Sequence, residues 1–202
     1  MDQYDKYVDR ALSDLMLMDK YMKTDSCKHI MSILESTSEE LEITDERKKR
    51  TFMKRMIPLV IPPGVKASVR GAALNTYIKN LLARETKGLG WELAFEARNC
   101  KQHVTEIPDW TLKIGDKLII GFNQLDLWKG GAQINRAAKY ILDDSIHERL
   151  HAKGIVLVCV VARKPPDCRD KKCKLYNILE KGIATQRLLW PRGLKKYLKQ
   201  YM

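Results

Sequence analysis

Long apolar runs are missing from this 202-residue chain. A membrane-spanning helix needs about 18 or more consecutive apolar residues, so none is expected. The opening stretch, MDQYDKYVDR, has acidic residues and no apolar segment, and does not read as a secretory signal. Cysteine is scarce. Cys27, Cys100, Cys159, Cys168 and Cys173 are odd in number and scattered. That argues against a disulfide scaffold and for a reducing, intracellular compartment. Internal repeats and low-complexity tracts are absent. So are the G-x-x-x-x-G-K phosphate loop, a Ser-His-Asp arrangement and a nucleophile elbow. Acidic charge is also short: 25 Asp and Glu stand against 37 Lys and Arg, a net charge of +12. Such an excess points to a polyanionic partner, most often nucleic acid, with a charged solvated surface as the plainer alternative.

What is present is enough apolar material for a folded globule: 45% hydrophobic residues and four tryptophans. Residues 1–57 read as a helical region. Tyr4, Tyr7, Val8, Ala11, Leu15, Met18 and Met22 recur at helical steps. A second helix is expected over Lys28–Glu35. A third, opened by a Thr37/Glu40 capping box, would run to about Met56. Pro58, Pro62, Pro63 and Gly64 mark a boundary, so residues 58–202 form the second region. There a helix carrying Val69, Ala73, Tyr77 and Leu81 precedes a strand within 91–99. A hairpin turning at Gly115-Asp116 comes next, then a helix from Ala132 to about His151. GIVLVCVVAR (154–163) reads as a strand buried on both faces. A short strand near Leu175–Ile178 and a basic amphipathic tail follow. The order helix, three strands, helix, strand predicts an α/β core with a mixed sheet.

The hairpin carries the chemistry. If Gly115-Asp116 is a two-residue turn, Asp109 lies opposite Phe122, on the face that Gln124 and Asp126 share. Carboxylates drawn together repel, and a hard divalent cation removes that penalty. A metal ion of this kind polarises a phosphoryl oxygen and acidifies an attacking water, so a basic protein with such a site suggests phosphodiester cleavage. Taken singly, Asp109 also reads as a strand-start residue after proline, and Asp126 as a cap before Gly130-Gly131.

Pro108-Asp109, the hairpin and the spaced pair Gln124/Asp126 resemble the PD-(D/E)xK nuclease superfamily. NQLDLWKGGAQINRAAKYI (123–141) is similar to a block Q-x-D-x-W-x-G-G-x-Q-x-N-R of restriction-endonuclease-like nucleases of bacteria and large DNA viruses. IPPGVKASVRGAALN (61–75) is similar to the segment before their first core helix. The resemblance spans roughly residues 61–163 and leaves 1–57 uncovered. It implies a restriction-endonuclease-like core of a helix, a three-strand antiparallel meander, a helix and a strand, with N-terminal helices added. It implies Mg²⁺ or Mn²⁺ as cofactor and Asp109 as first metal ligand. Gln124 stands where the superfamily has Asp or Glu, and Asp126 where it usually has Lys. Asp126 then becomes the second ligand, and Lys139 the candidate for the displaced lysine, ahead of Lys113 and Lys129. Glu96 would be a third carboxylate, as in some relatives.

On the following helix Gln133, Arg136 and Tyr140 share a face, and Gln133 and Arg136 are assigned to orienting the scissile phosphate or the metal-bound water. Arg169, Lys171, Lys172, Lys195 and Lys196, in two basic segments, are the expected backbone contacts on duplex DNA. His147, His151, Cys168 and Cys173 have zinc-like spacing, but zinc is not expected. His103 is read as a loop histidine with a lesser prospect as a base. The expectation is an intracellular, Mg²⁺-dependent DNA endonuclease, working in cytoplasm or nucleus if viral. Cutting both strands needs two sites, hence a homodimer. An RNA endonuclease of the same superfamily and an inactive nucleic-acid-binding module are the alternatives.

Overall fold

A computed structural model of the chain describes residues 25–124, 127, 132–162 and 172–201. The early helical pattern of residues 4–22 therefore lies outside the described residues. The chain divides into two compact units, Met1–Tyr77 and Ile78–Met202, a later division than the expected one at residue 58.

In the first unit, α1 (Asp25–Glu40) and α2 (Glu46–Val60) pack on each other. Cys27, Leu34 and Ser38 on α1 and Met53 and Ile57 on α2 are buried at helical steps. The expected capping box is not one. The Thr37 hydroxyl donates to the Ile33 carbonyl, so the helix runs straight through it. The true start is Asp45, whose carboxylate accepts from the Lys48 N–H at 2.8 Å. Pro58 also sits inside α2 rather than ending it, because it falls in the last turn. The next helix, α3 (Pro63–Glu85), opens on a proline, which suits a first helical position. The division between the units falls within α3.

The second unit is built on a five-stranded sheet in the order β1-β2-β3-β4-β5. The strands are β1 (Glu92–Phe95), β2 (Trp110–Ile114), β3 (Lys117–Gln124), β4 (Ile155–Val161) and β5 (Leu188–Leu189). The first three are antiparallel, and β3, β4 and β5 are parallel, so the sheet is mixed as expected. Ile114 pairs with Lys117 and Trp110 with Gly121, which is the register of a two-residue turn at Gly115-Asp116. Gly115 has φ +56, the left-handed value that such a turn asks of its first residue.

The crossover from β3 to β4 is made by α4 (Ala132–Leu142) and α5 (Asp144–His151), two helices where one was expected. The break comes at Asp143, whose carboxylate accepts from the N–H groups of Ser145 and Ile146 and restarts the helix. The segment read as a strand near Leu175–Ile178 is instead α6 (Lys174–Ala184). Leu175, Ile178 and Gly182 are buried at three- and four-residue steps, a helical period hidden in a short apolar run. The strand follows it, at Leu188–Leu189. α7 (Pro191–Leu198) and a 3₁₀ turn (Lys199–Tyr201) close the described chain.

β4 is buried almost throughout, as its apolar sequence predicts. Ile120 and Phe122 of β3 and Ile155, Leu157, Cys159 and Val161 of β4 pack on one face against Ile134, Ala137, Tyr140 and Ile141 of α4 and Leu175 and Ile178 of α6. Trp110, fully buried, marks the other face. Its ring lies over Gly121, where an added Cβ would come to 1.9 Å from the indole, so only glycine fits there.

Candidate metal and phosphate site

Asp109 enters β2 just after Pro108, and its main chain is held on both sides. Its N–H donates to the Gly121 carbonyl at 3.1 Å, and its carbonyl accepts from the Glu96 N–H at 3.2 Å. Its carboxylate Oδ2 accepts from the Asn123 N–H at 2.7 Å. Asn123 is fixed in turn, because its Oδ1 accepts from the Trp110 indole N–H at 3.1 Å. The large buried ring thus sets the strand edge that positions the carboxylate.

Gln124 ends β3 at the carboxyl end of the parallel β3/β4 pair, the end where open α/β sheets place their ligands. The Gln124 carbonyl accepts from the Ala162 N–H at 2.8 Å. Its side chain is 2% exposed, yet neither amide atom has a hydrogen-bond partner. A buried polar group left unmatched costs roughly 1–3 kcal/mol, and an orphan at a strand end is a mark of a site shaped for something else.

Alternation along β3 puts Gln124 on the face of Phe122. Over that face lies Arg136 of α4, its guanidinium carbon 4.6 Å from the Phe122 ring centroid. Tyr140, one turn later, stacks on the same ring at 4.5 Å. Arg136 Nη2 is 3.8 Å from Asp109 Oδ2, and Nε is 2.8 Å from Glu106 Oε2. The Nε contact lacks hydrogen-bond geometry and acts as a coulombic pair. The Arg136 side chain is 29% exposed and that of Asp109 22%, so water still reaches both. The Tyr140 hydroxyl donates to Glu106 Oε1 at 3.2 Å and lies 3.3 Å from Thr105 Oγ1. Burial pushes the Tyr140 phenol above its ordinary pKa, so it stays a proton donor at neutral pH. Lys139 donates to Thr105 Oγ1 at 2.5 Å from an exposed position.

Asp109 and Arg136 thus meet on the face of β3 that also carries Gln124, and Lys139 reaches the rim of that cluster through Thr105. Glu96 is joined to Asp109 only through the backbone; its side chain is exposed, and its φ of +51 is an uncommon left-handed value. Lys113 pairs with Glu92 further along β2 and takes no part. Asp126, Lys129, Arg169 and Lys171 lie outside the described residues, as does the side chain of Gln133. Lys172 and Lys196 are exposed. Lys195 is paired with Glu85 at 3.0 Å and holds that carboxyl below its ordinary pKa, so a phosphate would have to compete for it.

Glu106 and Thr105 were not singled out by the sequence. No period marks them, and only the shared helical face of Arg136 and Tyr140 pointed to the network they join. His103 lies beside Gln102, its Nε2 3.2 Å from the amide nitrogen. His147 Nε2 lies 2.7 Å from the Tyr140 carbonyl, and Cys173 is disulfide-bonded, which removes both from a free Cys₂His₂ set. Cys27, Cys100 and Cys159 are buried, and Cys100 and Cys159 are free thiols.

A hard cation fits the donors here in kind: a carboxylate at Asp109, a second at Glu106, and the unmatched amide oxygen of Gln124. Among the described residues no cluster of three or more His, Cys, Asp or Glu assembles. No helix among them is long and apolar enough to cross a membrane. The chain matches no family model, no curated protein and no solved structure.

Proposed function

We propose that this protein is a Mg²⁺- or Mn²⁺-dependent endonuclease that hydrolyses phosphodiester bonds in DNA on a restriction-endonuclease-like core. The observation that carries the reading is the buried, unmatched Gln124 amide on the sheet face of Phe122, the face where Arg136 lies over the ring and pairs with an Asp109 carboxylate held by the Asn123 N–H. The three-strand meander, the crossover helices and the parallel fourth strand support it, as does the net charge of +12.

The divalent ion would supply charge to a phosphoryl oxygen and acidity to an attacking water. Asp109 and Gln124, with Asp126, would hold it. Asn123 and Trp110 keep the Asp109 carboxylate in place. Arg136 offers a planar donor to a phosphate, and Glu106 and Tyr140 keep that guanidinium over Phe122. Lys139 adds a positive charge at the rim. Duplex DNA as substrate, a homodimer as working form and an intracellular setting belong to this same proposal. Incubating plasmid with the protein and Mg²⁺ or Mn²⁺, then mapping the ends, tests it. Wild type should nick or cut; Asp109→Asn and Asp126→Asn should not. Matched RNA substrates tell a ribonuclease from a DNA enzyme.

A second reading is an inactive nucleic-acid-binding module. It is favoured by Arg136, which already neutralises both Glu106 and Asp109. In that case no divalent ion yields products, and Asp109→Ala leaves DNA binding equal or tighter.

A further inference from the structure

The second unit has another cavity, at the opposite end of the sheet from Gln124. Its volume is about 770 Å³, within the range of small-molecule sites. Lys117 and Ile155, the first residues of β3 and β4, form part of it, with Leu157 deeper along the strand. α5 contributes His147 and His151, one turn apart on the same helix face. The carboxyl-terminal turn brings Tyr197 and Tyr201.

Each wall has a different chemistry. Ile155 and Leu157 are buried apolar strand residues. The two tyrosine rings meet edge to face, with centroids 5.7 Å apart and their hydroxyl oxygens 3.1 Å apart. The Lys117 ammonium, exposed, stands 5.6 Å from the Tyr201 centroid. Arg187 also lines the cavity, but its Nη1 is committed to Asp144 at 2.7 Å and to the Ile141 carbonyl at 2.9 Å. That leaves Lys117 as the cation best placed for a ligand, with the His151 ring as a polar neighbour, against Glu148 as the acidic residue among the described lining. Gln186, on the turn between α6 and β5, has φ +56 without being glycine. Backbone strain of this kind collects at binding sites, where it aims a side chain.

An inorganic anion would use the lysine and histidine but leave the apolar floor and the rings idle. An apolar ligand would strand the charges. A flat aromatic group joined to a phosphate uses all of them: stacking on tyrosine, contact with Ile155 and Leu157, the charge of Lys117 and a hydrogen bond from the His151 ring. We infer that this cavity binds a nucleoside phosphate, either free or as the terminal nucleotide of a strand. The site stands apart from Asp109 and does not depend on nuclease activity.

Calorimetric titration of the full chain tests it, using nucleoside 5′-monophosphates, the parent nucleosides and inorganic phosphate. The monophosphates should bind at least about tenfold tighter than either part alone. Lys117→Gln should lower monophosphate affinity about tenfold and leave nucleoside binding unchanged, while Tyr201→Leu should weaken both. Both positions border the cavity rather than the core, and circular dichroism of each variant verifies folding. A 5′-phosphorylated oligonucleotide that competes with the monophosphate assigns the site to strand ends; failure to compete assigns it to free nucleotide. Monophosphate binding no tighter than that of phosphate, or unchanged in Lys117→Gln, overturns the inference.

Discussion

Gln124→Met isolates a buried amide that has no hydrogen-bond partner at either of its polar atoms. Methionine has nearly the same length and volume and no amide to desolvate. Gln124 is 2% exposed, and both its amide atoms lack a partner, so the native protein carries that penalty. Relieving it should raise stability by roughly 1–3 kcal/mol in the absence of divalent ions. For a unit of this size that is about 3–12 °C in Tm. The assay is thermal unfolding followed by circular dichroism in chelator, then repeated with Mg²⁺ or Mn²⁺. Wild type should gain stability from the ions by mass action, and the methionine variant should gain far less. The variant should therefore be the more stable protein in chelator and the poorer nuclease in Mg²⁺. If the variant instead unfolds at a lower temperature in chelator, Gln124 is a satisfied structural residue, and the reasoning from its orphaned amide fails.

Three further outcomes follow from the same geometry. Gly121→Ala drives a Cβ into the Trp110 ring, and the loss of that packing and of the Trp110–Asn123 hydrogen bond should cost about 2–4 kcal/mol, read by urea unfolding with tryptophan fluorescence. Burial pushes the Cys159 thiol up to about 12, so it should resist alkylation at pH 8 in the folded protein and react at once in urea; fast labelling of the native protein would contradict the buried strand. Burial also lowers the His147 pKa below its ordinary 6.5. Its neutral form is the one the fold favours, so its contribution is full above about pH 6.5 and is lost as pH falls through the lower folded value. Stability should drop as pH falls below about 6.5, and His147→Gln should flatten that part of the curve.

Much of the sheet was legible because strands announce themselves by composition. The apolar β-branched run of β4 and the Gly115-Asp116 turn fixed two strands and a register, and the register put Asp109 opposite the Phe122 face. Local signals that compete with helix propensity were harder. Thr37 looks like a cap but satisfies its hydroxyl within α1, while Asp143 breaks a pattern whose hydrophobic period runs on through it. The run at Leu175–Ile178 is too short for period alone to tell strand from helix. Of the candidate residues, Gln124 and Arg136 sit in patterned elements and Asp109 directly before one, so period and register could place them. Glu106 and Thr105 belong to the loop before β2, where only tertiary contacts with Tyr140 and Lys139 reveal them. Glu96 comes after the last paired residue of β1, so strand alternation does not set the direction of its side chain.

Manganese anomalous diffraction separates a metal site at the end of β3 from a plain ion pair. One strong peak is expected about 2.0–2.5 Å from a carboxylate oxygen of Asp109 and from Gln124 Oε1, lost in Asp109→Asn. Crystals grown at saturating Mn²⁺ with no peak there, and with Arg136 still bridging Glu106 and Asp109, would contradict the metal site.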